Sequence, residues 1–103
     1  MLAAGAGERL RPLTRLLPKP LCPVGNVALL DGALTRVAAV VPAAAVAVNV
    51  HHHRMAMEAH LTGHPEVHVS VEEAGALGTA GAIGHLRAWL DGRPVLVVNG
   101  DSW

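Results

Sequence analysis

Phenylalanine and tyrosine are absent from these 103 residues and tryptophan occurs only twice, so the aromatic platforms on which single-stranded nucleic acids stack are missing. Net charge is lacking as well: eight Lys and Arg balance eight Asp and Glu, and no whole-molecule field draws the chain to nucleic acid or to anionic lipid. Neither partner is expected. Cysteine occurs once, at Cys22, which excludes an internal disulfide and suits a reducing compartment, with cytoplasm as the default. The start "MLAAGAGER" reaches glycine and charge before the apolar segment of a signal peptide forms. Long hydrophobic runs are missing too, since the most apolar stretch, residues 37–48, is interrupted by Pro42 and falls short of the roughly 20 residues that cross a bilayer. What is left is the length of one soluble domain, enough for a single core and too little for two.

Two kinds of segment alternate along the chain. "MLAA" reads as the tail of a buried strand. In "ALLDGALTRVAAVV" the residues Leu30, Leu34, Val37 and Val41 recur at helical spacing before Pro42 ends the pattern. "AAVAVNV" is the unbroken apolar run of a strand covered on both faces. "HHHRMAMEAHLTG" reads as a helix with Met57 and Leu61 inward and Gly63 as its C-cap, and "EVHVSV" alternates as a strand. "TAGAIGHLRAWLDG" reads as one helix, with Thr79 as N-cap, Ile83, Leu86 and Leu90 on one face, and Gly92 as its stop. "RPVLVVNGD" reads as a last buried strand. Strand and helix in alternation predict an α/β chain with a parallel sheet and right-handed crossovers. Ligands bind such sheets at the carboxyl ends of the strands, where the polar strings "GAGER", "NVHHH", "EEAGALGT" and "NGDSW" fall.

The first of those strings opens the richest charge cluster. Gly5 and Gly7 let backbone amides approach an anion closely, Arg9 and Arg11 follow directly, and Lys19 stands between two prolines. The cluster fits a polyphosphate. A dinucleotide fingerprint would need glycine where Leu10 stands, and Pro12 prevents the helix that should follow; a Walker A loop is absent. Arg11 and Arg15 divide between phosphate contact and surface charge.

"LAAGAGERLRPLT" followed by "PKPLCPVGN" resembles the signature of the sugar-1-phosphate nucleotidyltransferases, or nucleotide-sugar pyrophosphorylases, and "VNVHHH", "EEAGALGTAGAIG" and "VLVVNGDSW" follow in the family's order. The likeness covers almost the whole chain and looks closest to the bacterial mannose-1-phosphate guanylyltransferases and N-acetylmuramate-1-phosphate uridylyltransferases. It implies a Rossmann-like three-layer α/β/α fold with a mainly parallel sheet, of which residues 1–103 form the N-terminal, nucleotide-binding half. The implied reaction is attack of a sugar-1-phosphate oxygen on the α-phosphorus of a nucleoside triphosphate, with pyrophosphate leaving. Carried over position by position, Leu2, Ala3, Ala4, Gly5 and Gly7 hold the nucleotide, Arg9 and Lys19 act on the triphosphate, and Asp101 binds Mg²⁺. Glu73, Gly78 and Thr79 belong to the base pocket. A carboxylate at Glu73 engages the two adjacent donors of guanine, so GTP is mildly favoured over UTP or dTTP.

Glu72 reads as a solvated neighbour of Glu73. The run His51, His52 and His53 reads as polar lining or a helix start, because successive side chains at a strand end diverge; His60, His64, His68 and His85 show no ligand spacing. Catalytic domains of the family continue well past the position of Trp103, with most of the sugar-phosphate pocket and a second metal-binding aspartate. A truncated domain is therefore expected, its bare apolar surface covered by self-association or by a completing polypeptide. The competing expectation is a nucleotide-binding fragment without turnover.

Overall fold

A computed structural model describes residues 1–4, 17–75 and 77–100. After a 3₁₀ turn at Lys19–Leu21 come a two-stranded antiparallel hairpin, β1 (Pro23–Val24) and β2 (Val27–Ala28), and helix α1 (Leu29–Ala38). A second 3₁₀ turn, Ala43–Ala45, leads into strand β3 (Ala47–Val50), helix α2 (Arg54–Leu61) and strand β4 (His68–Val71). Helices α3 (Gly78–His85) and α4 (Arg87–Leu90) complete the order. No helix among the described residues is long and apolar enough to cross a membrane.

Strands β3 and β4 pair in parallel with Val48 opposite Val69 and Asn49 opposite Ser70. The ladder continues past β3 through single bridges, because Leu2 pairs in parallel with Asn49 on one side and with Asn99 on the other. Leu2 N donates to Val98 O at 2.8 Å, Gly100 N to Leu2 O at 2.9 Å, and Asn49 N to Met1 O at 3.2 Å. The lateral order is thus β4, β3, the Leu2 segment, then the Asn99 segment, all pointing one way. The fold is α/β with parallel pairing, in small sheets rather than one broad one.

Burial explains the helices. Leu30 and Leu34 of α1 and Met57 and Leu61 of α2 converge on Val48 and Val50 in one core, with Val37 and Val41 at its margin. β3 is buried at every position, as a parallel strand covered on both faces must be. The hairpin turns on Gly25 and Asn26, whose φ angles of +57° and +68° are the left-handed pair that a two-residue turn demands. No hairpin was read from the sequence, although that dipeptide is its signal.

Three expectations need correction. The last strand, expected over residues 93–101, is absent over 93–98: only Asn99 bridges, and Val95, Leu96 and Val97 are exposed. The apolar pattern reports strand character but not whether a second layer covers it. The helix expected from Thr79 onward breaks at Leu86, and Thr79 lies inside α3 and exposed, while Leu77 occupies the N-cap. Ile83, Leu86 and Leu90 nevertheless face one cavity, with Met1 and Val41 across from them. The helix expected to run up to Pro42 ends at Ala38, and a turn from Val37 O to the amides of Val40 and Val41 fills the gap.

Candidate functional site

A buried polar chain crosses the carboxyl ends of the strands. Ala3 N donates to Asn49 Oδ1 at 2.6 Å, Asn49 Nδ2 donates to Glu72 Oε2 at 2.7 Å, and Leu77 N donates to Glu72 Oε1 at 2.8 Å. Asn49 and Glu72 are 4% and 2% exposed, a depth at which an unpartnered polar group is costly. Here each acceptor has a donor. Three bonds therefore tie the strand of Ala3, the end of β3, the end of β4 and the entry to α3 into one edge. Next to it His51 Nδ1 donates to Glu72 O at 2.5 Å, and because a carbonyl only accepts, the ring hydrogen sits on that nitrogen.

This overturns the reading of Glu72 as a solvated neighbour. Its oxygens are each taken by a donor from within the chain, so its work is to hold Leu77 and the start of α3 in place. Glu73 is the solvated one: its side chain is 77% exposed and stands 3.6 Å from Arg54, which also pairs with Glu58 at 3.4 Å. Strand parity would not have identified Glu72, because Ser70, on the polar side of β4, is buried too; in a sheet covered on both faces a polar residue needs a partner rather than solvent.

Of the other sequence-derived residues, Leu2 carries both bridges and Ala3 and Ala4 are buried beside it. Lys19 is half-buried in its 3₁₀ turn, between the buried Pro18 and Pro20, so its backbone is held as the flanking prolines imply. Gly78 opens α3. Gly5, Gly7, Arg9, Arg11, Arg15 and Asp101 lie outside the described residues. Gly100, next to Asp101, packs closely: a Cβ there would stand 3.2 Å from Leu2 O and 3.3 Å from both Ala3 Cβ and Leu30 Cδ1. Among the histidines, His53 forms the left-handed N-cap of α2.

A second cluster, not foreseen, joins α1 to the end of α2. His60 Nε2 lies 2.7 Å and His64 Nε2 3.1 Å from Asp31 Oδ1. The three side chains are about one-third exposed. Partial burial pushes the Asp31 carboxyl up, and the hydrogen bonds and charges of His60 and His64 outweigh it, leaving the group below its ordinary value. This corrects the reading that His60 and His64 show no ligand spacing: their ring nitrogens meet on Asp31, a residue of another helix that spacing along the chain does not reveal.

Comparison with known proteins matches the family described as "Nucleotidyl transferase" over residues 1–103. The chain is 44% identical to an N-acetylmuramate alpha-1-phosphate uridylyltransferase of Caulobacter vibrioides, over 99% of this chain and 44% of that protein. It is 39% identical to a protein of the same name from Neisseria meningitidis serogroup B, over 98% of this chain and 45% of that protein. The chain thus spans less than half the length of these relatives. With the family pattern running along every residue and both relatives aligned over nearly all of it, the chain belongs to the nucleotidyl transferase family.

Proposed function

We propose that residues 1–103 are the nucleotide-binding half of a sugar-1-phosphate uridylyltransferase domain with a Rossmann-like three-layer α/β/α architecture. The observation that carries this is the buried chain Ala3–Asn49–Glu72–Leu77, which joins at one strand edge the segments of three motifs of the family pattern, "LAAGAGER", "VNVHHH" and "EEAGALGT". From that edge the glycine loop with Gly5 and Gly7 would receive the triphosphate through its amides. Arg9 and Lys19 would neutralise the charge that builds as pyrophosphate leaves, the main demand of phosphoryl chemistry. No protein base is needed, since the attacking sugar-phosphate oxygen is already anionic.

Asp101 would hold Mg²⁺: its carboxylate is the hard oxygen ligand this ion takes, and it directly follows Gly100, whose N–H is bonded to Leu2 O. When bound, the ion supplies charge neutralisation and alignment of the phosphates. For the base, the names of both relatives turn the preference from guanine to uracil. Glu73, exposed and weakly paired with Arg54, has acceptor capacity for the single uracil N3–H, with Gly78 supplying a backbone contact and Thr79 beside it. Cytoplasm, where nucleoside triphosphates are made and Cys22 stays reduced, is the matching compartment.

The test is a binding series with UTP, GTP and dTTP in the presence of Mg²⁺, followed by pyrophosphate exchange with the full chain. UTP should bind tightest, and Lys19→Ala should abolish exchange. Tightest binding of GTP removes the uridine assignment. Binding without exchange leaves the second reading, a nucleotide-binding module without turnover.

A further inference from the structure

The cluster joining α1 to α2 has the composition of a transition-metal site. Two imidazole nitrogens and one carboxylate oxygen come from Asp31, His60 and His64, and all three ligand atoms lie within 4.8 Å of one another. Zinc with ligands at about 2.0–2.1 Å in tetrahedral array sets neighbouring ligand atoms about 3.3 Å apart. The observed separations of 2.7 and 3.1 Å from Asp31 Oδ1 need to open by about 0.6 and 0.2 Å, and the two ring nitrogens, within 4.8 Å of each other, to settle at the same spacing. The backbone holding these groups is well fixed. Asp31 stands in the first turn of α1. His60 is in the last turn of α2, where Thr62 Oγ1 donates to Ala59 O at 2.6 Å, and His64 N donates to Leu61 O at 2.9 Å.

We propose that Asp31, His60 and His64 form a site for a divalent transition metal of the zinc class, with water as fourth ligand, which clasps α1 to the segment between α2 and β4. It is independent of the nucleotide reading, shares no residue with it, and differs in chemistry. Two nitrogens and one carboxylate select zinc and its neighbours, whereas magnesium demands an oxygen-rich octahedral shell. Bound metal replaces two hydrogen bonds by three coordinate bonds from Asp31 of α1, His60 of α2 and His64 beyond it, so it raises stability with the logarithm of its concentration over its dissociation constant. With all three ligands about one-third exposed, the ion can enter from solvent.

Titration of the full chain with Zn²⁺ by calorimetry should give one ion per chain, with Mg²⁺ unable to compete. His60→Ala, His64→Ala and Asp31→Asn should each weaken zinc by about tenfold or more, because even outer partners of metal ligands are worth that much. His51→Ala/His52→Ala should leave zinc affinity unchanged; loss there instead would move the metal to the histidine run and overturn the proposal. Absence of stoichiometric zinc binding to the parent chain overturns it as well. A second measurement needs no variant. Co²⁺ added to the parent should give the intense visible absorption of a four-coordinate site, bleached by Zn²⁺, whereas the faint spectrum of an octahedral ion would refute the assignment.

Discussion

Asn49 is the residue on which the strand edge turns, since it accepts from one segment and donates to another with 4% of its surface exposed. Asn49→Ala leaves the Ala3 amide and one oxygen of Glu72 buried without partners. The expected loss is about 3 kcal/mol, a large part of the 5–15 kcal/mol that holds a typical domain, measured as the shift of a urea unfolding curve. Glu72→Gln is milder: an amide can accept from only one of Asn49 Nδ2 and Leu77 N, so about 1–2 kcal/mol is lost. Equal costs for the two variants would show that the chain of bonds is not continuous. Gly100 tests the same edge by volume. The Cβ of Gly100→Ala meets Leu2 O at 3.2 Å, and that oxygen cannot retreat without loosening the bond from Gly100 N itself. A cost of about 1–2 kcal/mol is expected from such overpacking, with the register of Asn99 disturbed in hydrogen exchange.

Helix α1 meets α2 through Asp31, and here pH is the probe, with chelator present so that only hydrogen bonds act. The Asp31 carboxyl is held below its ordinary value of 3.8. A carboxyl lowered in the folded state adds stability that is complete above the unfolded value and lost as pH falls through the folded one. The difference in melting temperature between the parent and Asp31→Asn should therefore shrink as pH falls below 3.8. A gap that widens on acidification would mean that His60 and His64 do not stabilise the ionised form. How far the elements could be read in advance follows the same local logic. Leu30, Leu34, Met57 and Leu61 show helical spacing and do reach the core, because burial of one face is written into the order of residues. The break at Leu86, the bare face of residues 95–97 and the meeting of Asp31 with two histidines depend on which element lies opposite, and one-dimensional spacing carries no record of that. Asn49 and Glu72 were hidden for a related reason: polar residues at strand ends look solvated until the segment covering them is known.

For the molecule as a whole, the strand-tip reading and the helix clasp draw on different elements. His60 and His64 belong to the passage from α2 to the amino end of β4, whereas Ala3, Asn49, Glu72 and Leu77 gather at the carboxyl ends. A ligand that binds only the folded chain stabilises it by about 2.7 kcal/mol at 100 times its dissociation constant, and each kcal/mol raises the melting temperature of a domain this small by roughly 4–8 °C. Saturating UTP with Mg²⁺, or saturating Zn²⁺, should therefore each raise it by more than about ten degrees. Because no residue is shared, the two free-energy increments should add. The nucleotide increment should vanish in Lys19→Ala and persist in His64→Ala, and the zinc increment should do the reverse. If Lys19→Ala abolished both, the core would have to depend on Lys19 itself, and the two sites would be one cooperative unit. If His64→Ala abolished both, the clasp between α1 and α2 would be what holds the strand edge in register, and nucleotide binding would then become chelator-sensitive through zinc as well as magnesium.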